Sequence, residues 1–132
     1  MSGRFITDAD VVREEADWGV TGWVSRPSFT GSTAMCVMDV HLSPGGGHEF
    51  HRHPDQEEII WVREGRIEQW LEVAKQELGP GEAVYIPKDV VHASFTVGDE
   101  TAKLSVILTP TAGDDGYSVV DVSGEEPWSG LR

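Results

Sequence analysis

The chain has 132 residues, of which 39% are hydrophobic, and a formal net charge of −13 at pH 7. This length predicts one domain with a single core, and five tryptophans argue against disorder, because such side chains need a surface on which to pack. Ten Lys and Arg residues scattered along an acidic chain do not form the basic patch that nucleic acid or an anionic membrane needs, so neither is expected as a partner.

In chain order, the first segment with a helical pattern is Asp8 to Asp17, where Asp8 can act as an N-cap and the valines form a weak apolar stripe. No apolar run near the N-terminus is long enough for a signal peptide or a membrane span, so a cytoplasmic location is expected. The single cysteine, Cys36, has no partner for an intrachain disulfide and is expected to be buried.

From residue 34 onward the sequence is typical of short strands separated by glycine or proline turns. Strands with this spacing and this content of β-branched and aromatic residues predict an all-β fold, a sandwich or a barrel. The tail from residue 111 resembles a linker, with one further strand at Tyr117 to Val122. The strands predicted before it are Ala34 to Leu42, Glu58 to Arg63, Arg66 to Leu71, Ala83 to Ile86, His92 to Val97 and Ala102 to Thr109.

Three of the five histidines lie between residues 48 and 53, ahead of a pair of glutamates. Residues two apart in a strand point to the same face, so His51 and His53 project together. The turn residues Pro54-Asp55 would fold the chain so that Glu58, rather than Glu57, joins the two imidazoles.

A later strand offers a fourth polar side chain. Its apolar face carries Ala93 and Phe95, which leaves His92, Ser94 and Thr96 on the opposite face. A His-x-His pair alone is more often surface decoration, and His92 alone is more often a hydrogen-bonded structural residue. In combination, imidazoles and a carboxylate on inward faces are costly to bury without a cation, and they predict one divalent metal, with iron, manganese, nickel, copper and zinc all open.

These residues carry a resemblance to the cupin superfamily, specifically to its small single-domain members. The first cupin motif runs Gly, five residues, His-x-His, three or four residues, Glu, six residues, Gly. Here Gly45, His51, His53, Glu58 and Gly65 occupy its fixed positions.

The second motif runs Gly, five residues, Pro-x-Gly, two residues, His, three residues, Asn, and Gly81, Pro87 and His92 match it. Asp89 stands at the motif glycine, where a positive φ is expected and where Asp is among the residues that tolerate it best. Thr96 replaces the final Asn. The two motifs and their flanking strands predict a cupin barrel over residues 32–110, with an N-terminal arm over 1–31 and a C-terminal arm over 111–132.

The resemblance implies a single antiparallel β-barrel, or jelly roll, with a metal held inside by His51, His53, Glu58 and His92. Four protein ligands on an octahedral ion leave two positions open, as in cupin dioxygenases, so iron and dioxygenase-type oxidation of a small organic molecule are favoured. The alternatives are Lewis-acid isomerase or lyase chemistry at the same site and a binding or sensor module that transforms nothing. By analogy with small cupins, a homodimer is expected.

Other residues are candidates for catalysis or substrate binding. Glu58 could also act as a base, and His48 is either a proton donor at the cavity mouth or a solvated side chain. Substrate-binding candidates on the strands, each with a purely structural alternative, are Gln69, Ser94, Thr96 and Tyr85.

Overall fold

The structure is a computed structural model that describes residues 3–132. Within this range no helix is long and apolar enough to cross a membrane. One short helix, α1, spans Pro27–Thr30, and single 3₁₀ turns occur at Asp8–Asp10 and Trp128–Gly130. The strands are β1 Val12–Ala16, β2 Gly19–Ser25, β3 Cys36–Leu42, β4 Gly47–Arg52, β5 Glu57–Glu64, β6 Ile67–Leu71, β7 Ala74–Leu78, β8 Ala83–Ile86, β9 His92–Thr96, β10 Ala102–Thr109 and β11 Val120–Asp121.

The strands form two sheets whose pairings are all antiparallel. One sheet has six strands in the order β1-β2-β3-β10-β5-β8, and the other has five in the order β11-β4-β9-β6-β7. This confirms the predicted all-β jelly roll.

The main core is built by strict alternation along the central strands of the six-stranded sheet. In β3, Cys36, Met38, Val40 and Leu42 are buried, whereas the residues between them are partly exposed. β10 alternates in the same way over most of its length. This period of two is what a sheet with one face on a core requires, and it lets a few inward positions carry polar groups without changing the strand.

The outward face of the same sheet carries a row of exposed hydrophobic residues. Ile59 lies opposite both Tyr85 on β8 and Ile107 on β10. Together with Trp61, these residues form what we call the outer apolar row, and Trp61 is 48% exposed.

The C-terminal segment covers the outward face of the five-stranded sheet. There Phe50, Trp70 and Phe95 form a second apolar cluster with Val122 of the tail. Trp128 and Leu131 pack against this cluster from the last residues of the chain. Both faces of β9 are therefore buried, one by the barrel interior and the other by the tail.

The segment around β1 and the strand β7 differ from the predictions. The helix expected over Asp8 to Asp17 is wrong, because pairing of β1 with β2 overrides a weak helical pattern. Part of the segment expected as an N-terminal arm, residues 1–31, forms β1 and β2, which join the six-stranded sheet. β7 was missed because it is an edge strand whose residues, apart from Leu78, are exposed, so it has no apolar alternation.

Candidate metal centre

The structure brings His51, His53 and His92 together inside the barrel. One ring nitrogen from each lies within 4.8 Å of the other two. The three side chains are deeply buried, with exposures of 4%, 3% and 1%. His51 lies in β4 and His53 just after it, while His92 begins β9, and His51 pairs directly with His92 across the two strands.

Backbone carbonyls orient all three rings. Nδ1 of His51 contacts the Glu49 carbonyl oxygen at 2.6 Å, and Nδ1 of His92 contacts that of Val90 at 2.9 Å. Nδ1 of His53 contacts the Ser118 carbonyl oxygen at 2.8 Å. Because a carbonyl only accepts hydrogen bonds, each Nδ1 must carry the proton, which leaves the lone pair of Nε2 available to a metal. Such outer contacts are typical of histidines that bind a metal.

The carboxylate of Glu58 lies against two of the imidazoles. Its Oε1 is 2.9 Å from Nε2 of His92 and 3.4 Å from Nε2 of His53. Within residues 3–132, however, neither Glu58 Oε1 nor His92 Nε2 has an aligned hydrogen-bond partner. Two buried polar atoms that face each other without a bond fit a cation between them.

The electrostatics of the cluster support this fit. Burial opposes ionisation of Glu58, but the imidazoles of His53 and His92 outweigh it and hold the pKa of Glu58 well below its usual value. Burial, together with the neighbouring histidines, lowers the pKa of His51. Burial would also lower the pKa of His92, yet its contact with Glu58 raises it. Imidazole nitrogens with one carboxylate are a donor set that suits iron, manganese, nickel, copper and zinc.

His48 lies beside this cluster and lines the cavity. It is three residues before His51, and a regular strand would place the two on opposite faces. β4 has a bulge between them, which brings both rings to the same side. The His48 ring stacks on His51 with centroids 3.7 Å apart and on Trp18 at 5.8 Å. Burial lowers the pKa of His48 to about 4, so its imidazole is neutral near pH 7.

His48, His51, His53 and Glu58 form one end of a cavity of about 190 Å³ between the two sheets, and His92 contacts Glu58 without lining the cavity. Apart from this end, its wall is largely apolar and comes from the six-stranded sheet. The lining residues are Trp18, Thr21, Met38, Val40, Leu42, His48, His51, His53, Glu58, Ile60, Ser94, Leu104, Val106 and Tyr117.

The four predicted substrate-binding residues lie at different positions relative to the cavity. Ser94 lines the cavity, but its hydroxyl donates to Oε1 of Gln69 at 2.6 Å. Gln69 lies behind it and lines a separate depression next to β7. The hydroxyl of Thr96 donates to the Ser43 carbonyl oxygen. Tyr85 is 53% exposed in the outer apolar row and is not brought together with the histidines.

Sequence reasoning missed several residues around the site. Tyr117 lines the cavity, with its ring 5.9 Å from that of His53, and Trp18 also lines it, stacked on His48. Gln56 is buried and hydrogen-bonds the segment that presents the Ser118 carbonyl to His53. Only the aromatic residues had a signal in the sequence, as large side chains: Trp18 follows the predicted helix, and Tyr117 begins the last predicted strand.

Comparison with known proteins agrees with this architecture. The family model described as "Cupin domain" matches residues 38–108. The chain is 34% identical over 121 residues to Protein SchB of Streptomyces halstedii, covering 92% of this chain and 88% of SchB. It is 33% identical over 95 residues to Polyketide synthase CurC of Streptomyces cyaneus, covering 72% of this chain and 62% of CurC.

Among solved structures, KdgF from Halomonas sp. superposes with a TM-score of 0.72 at 18% identity, covering 85% of this chain and 99% of KdgF. The formate complex of Lactobacillus farciminis oxalate decarboxylase gives a TM-score of 0.75 at 20% identity and covers 88% of this chain. This chain spans only 35% of that decarboxylase. At such identities the likeness shows the fold alone.

Proposed function

The chain belongs to the cupin family, and we propose that it is a metal-dependent enzyme that acts on a small organic molecule. The observation that carries this proposal is the convergence of three tautomer-fixed histidines at one end of an otherwise apolar cavity. Such a pocket, apolar with a few convergent polar groups, is typical of a small-molecule site.

His51, His53, His92 and Glu58 would hold one divalent metal, with iron favoured. A bound iron supplies positions at which dioxygen and an oxygen-bearing substrate can meet, so dioxygenase-type oxidation is the leading reaction. The similarity to CurC, named as a polyketide synthase, supports a substrate rich in enolic or phenolic oxygens. Manganese is supported by another fold relative, since a solved structure of Bacillus subtilis oxalate decarboxylase is described by its Mn(II) centres.

The chain's own residues have separable roles in this proposal. The apolar wall formed by Met38, Ile60 and Leu104 excludes water from the reacting end. Neutral His48, stacked on His51, holds an N–H that can donate to a substrate oxygen near pH 7. Glu58, which would be one of the metal's ligands, could act as a base only through a carboxylate oxygen that the metal does not hold.

The same donor set suits zinc, which is redox-inert, and this favours Lewis-acid isomerase or lyase chemistry as the second candidate. Oxygen uptake separates the two. Iron-loaded protein, prepared without oxygen, is mixed with a panel of diketones, flavonols and catechols in an oxygen electrode. Uptake that depends on both iron and substrate supports the dioxygenase. Anaerobic turnover by the zinc-loaded protein favours the alternative, and binding without turnover under either condition contradicts the enzymatic proposal.

A further inference from the structure

We infer that the molecule held in the cavity is about the size of one substituted ring and carries no more than one negative charge. This inference rests on the proposed function and defines its substrate class. The cavity measures about 190 Å³, whereas an engineered apolar cavity of about 150 Å³ binds benzene. A single ring with one or two substituents therefore fills the space, and a larger molecule would have to protrude through the mouth.

The charge limit follows from the side chains of the wall. In the part of the chain that the structure describes, no Lys or Arg lines the cavity, and Glu58 is its one carboxylate. A dicarboxylate such as oxalate would find no cationic side chain beyond the metal, and an unpaired charge is costly in an apolar space. Thr21 and Tyr117, which also line the cavity, bear hydroxyl groups that can hydrogen-bond neutral oxygens.

Tropolone and oxalate are matched probes for this inference. Both bind a metal through two oxygens, but tropolone is a monoanionic ring and oxalate a dianion without one. Their affinities for the zinc-loaded protein are measured by calorimetry and divided by their affinities for free zinc. We expect the corrected ratio to favour tropolone by tenfold or more, and a ratio that favours oxalate would overturn the inference.

A charge variant tests the same point independently. Thr21→Lys introduces a cation at a partly exposed position of the wall and should shift the ratio toward oxalate, while Thr101→Lys at an exposed turn should not. Protein that binds none of iron, manganese, nickel and zinc would contradict the proposed function itself. Protein that binds zinc but prefers oxalate contradicts only the substrate class.

The structure also assigns to Gln56 the role of a positioning residue for the metal centre. Its side chain, 2% exposed, donates from Nε2 to the carbonyl oxygens of Pro110 at 2.8 Å and Gly116 at 3.0 Å. Its Oε1 accepts from the Ser118 backbone N–H at 3.0 Å. One amide therefore holds both ends of the segment whose Ser118 carbonyl orients His53.

The held segment is tightly packed on its other side. Gly116 has φ +102, and a Cβ there would lie 2.9 Å from Sγ of Cys36. The backbone at Gly116 is therefore packed closely against Cys36, and the hydrogen bonds of Gln56 hold the segment on either side of Gly116. Loss of the amide should release the Ser118 carbonyl from Nδ1 of His53 and free that ring to change tautomer or rotate. Substitution of such outer contacts typically weakens metal binding by about 10–100-fold.

Gln56→Met keeps the length of the side chain and removes its hydrogen bonds. We expect about a tenfold or greater loss of zinc affinity, measured by chelator competition well below the unfolding temperature, and a changed visible spectrum of the cobalt-loaded protein. Gln56→Asn, a milder change, should act in the same direction if the Met variant does not fold.

Two controls separate positioning from general stability. Ile67→Ala truncates a fully buried residue of β6 outside this network and should lower the unfolding temperature without changing zinc affinity or the cobalt spectrum. Gln76→Met, on exposed β7, should change neither property. If Gln56→Met lowers the unfolding temperature but binds zinc as the wild type does, Gln56 is merely structural.

Discussion

Removal of the metal should lower the free energy of unfolding, by an amount that can be worked out from two buried polar atoms of the centre. Oε1 of Glu58 and Nε2 of His92 are buried and lack aligned partners within residues 3–132. An unsatisfied buried polar group costs about 1–3 kcal/mol, so the pair costs about 2–6 kcal/mol in the metal-free protein at a pH above the raised pKa of His92, where its imidazole is neutral. A cation bound to both atoms relieves this cost. In a domain of this size 1 kcal/mol corresponds to about 4 °C, so the expected shift in Tm is about 8–24 °C.

Thermal unfolding followed by circular dichroism measures the shift. The protein is compared after treatment with a chelator and after reloading with one equivalent of zinc or manganese. His51→Ala removes one of the three clustered histidines and should abolish the metal-dependent shift. His41→Ala is the matched control, because His41 lies on the outward face of β3 beside Asp39 and should keep the full shift. Equal Tm values for metal-free and reloaded wild type would refute the reasoning.

Three further predictions concern other parts of the molecule. His48→Phe keeps the stacked ring but loses the N–H, so metal content should be unchanged while turnover falls by about 100-fold or more; loss of metal would show instead that His48 is a ligand. Trp61→Glu places a charge in the outer apolar row, and light scattering should show a dimeric wild type and a monomeric variant; a monomeric wild type would contradict the expected homodimer. The Arg132 guanidinium, 2.6 Å from Glu68, lowers the pKa of Glu68 from 4.5 to about 2, with help from Trp70 and Lys75 and against its partial burial. The contribution of this ion pair is therefore full above pH 4.5 and lost as the pH falls toward 2. Arg132→Ala should cost no more than about 1 kcal/mol at pH 7, because the pair is partly exposed, and less at pH 2, where Glu68 is half protonated in the folded protein. The contact of Arg132 with the Phe95 ring is lost at both pH values. An equal cost at both pH values in denaturant titrations would contradict the ionic origin.

The central strands and the clustering of the histidines were predictable because both depend on side-chain alternation. In β9, the alternation of side chains along a strand places His92 and Ser94 on the face opposite Ala93 and Phe95. The structure confirms this: Ala93 and Phe95 belong to the apolar cluster that the C-terminal segment covers, and Ser94 lines the cavity. The positive φ predicted at Asp89 is also present, at 64°. These features are local, or depend on a period of two, and a single sequence carries that information.

Features that depend on irregular backbone were not predictable. In a regular strand His48 would lie on the opposite face from His51, and only the bulge in β4 brings it to the cavity. Nothing in the local residues specifies a bulge, because it is set by how β4 pairs with β9, a strand about forty residues away. Pairing likewise explains β1 and β2: β2 pairs with β3, and β1 forms a hairpin with β2, so both become strands by extending the six-stranded sheet.

The motifs predict a metal but not the groups that orient its ligands, and the C-terminal tail shows why. A metal needs particular side chains, so its ligands leave a readable spacing in the sequence, whereas the Ser118 carbonyl that orients His53 is a group every residue possesses. The side chain that holds the Ser118 segment in place is that of Gln56, which precedes Glu58 by two residues and is not a ligand. A segment that resembles a linker by composition can therefore complete a centre through its backbone, provided that one buried amide elsewhere holds it in register.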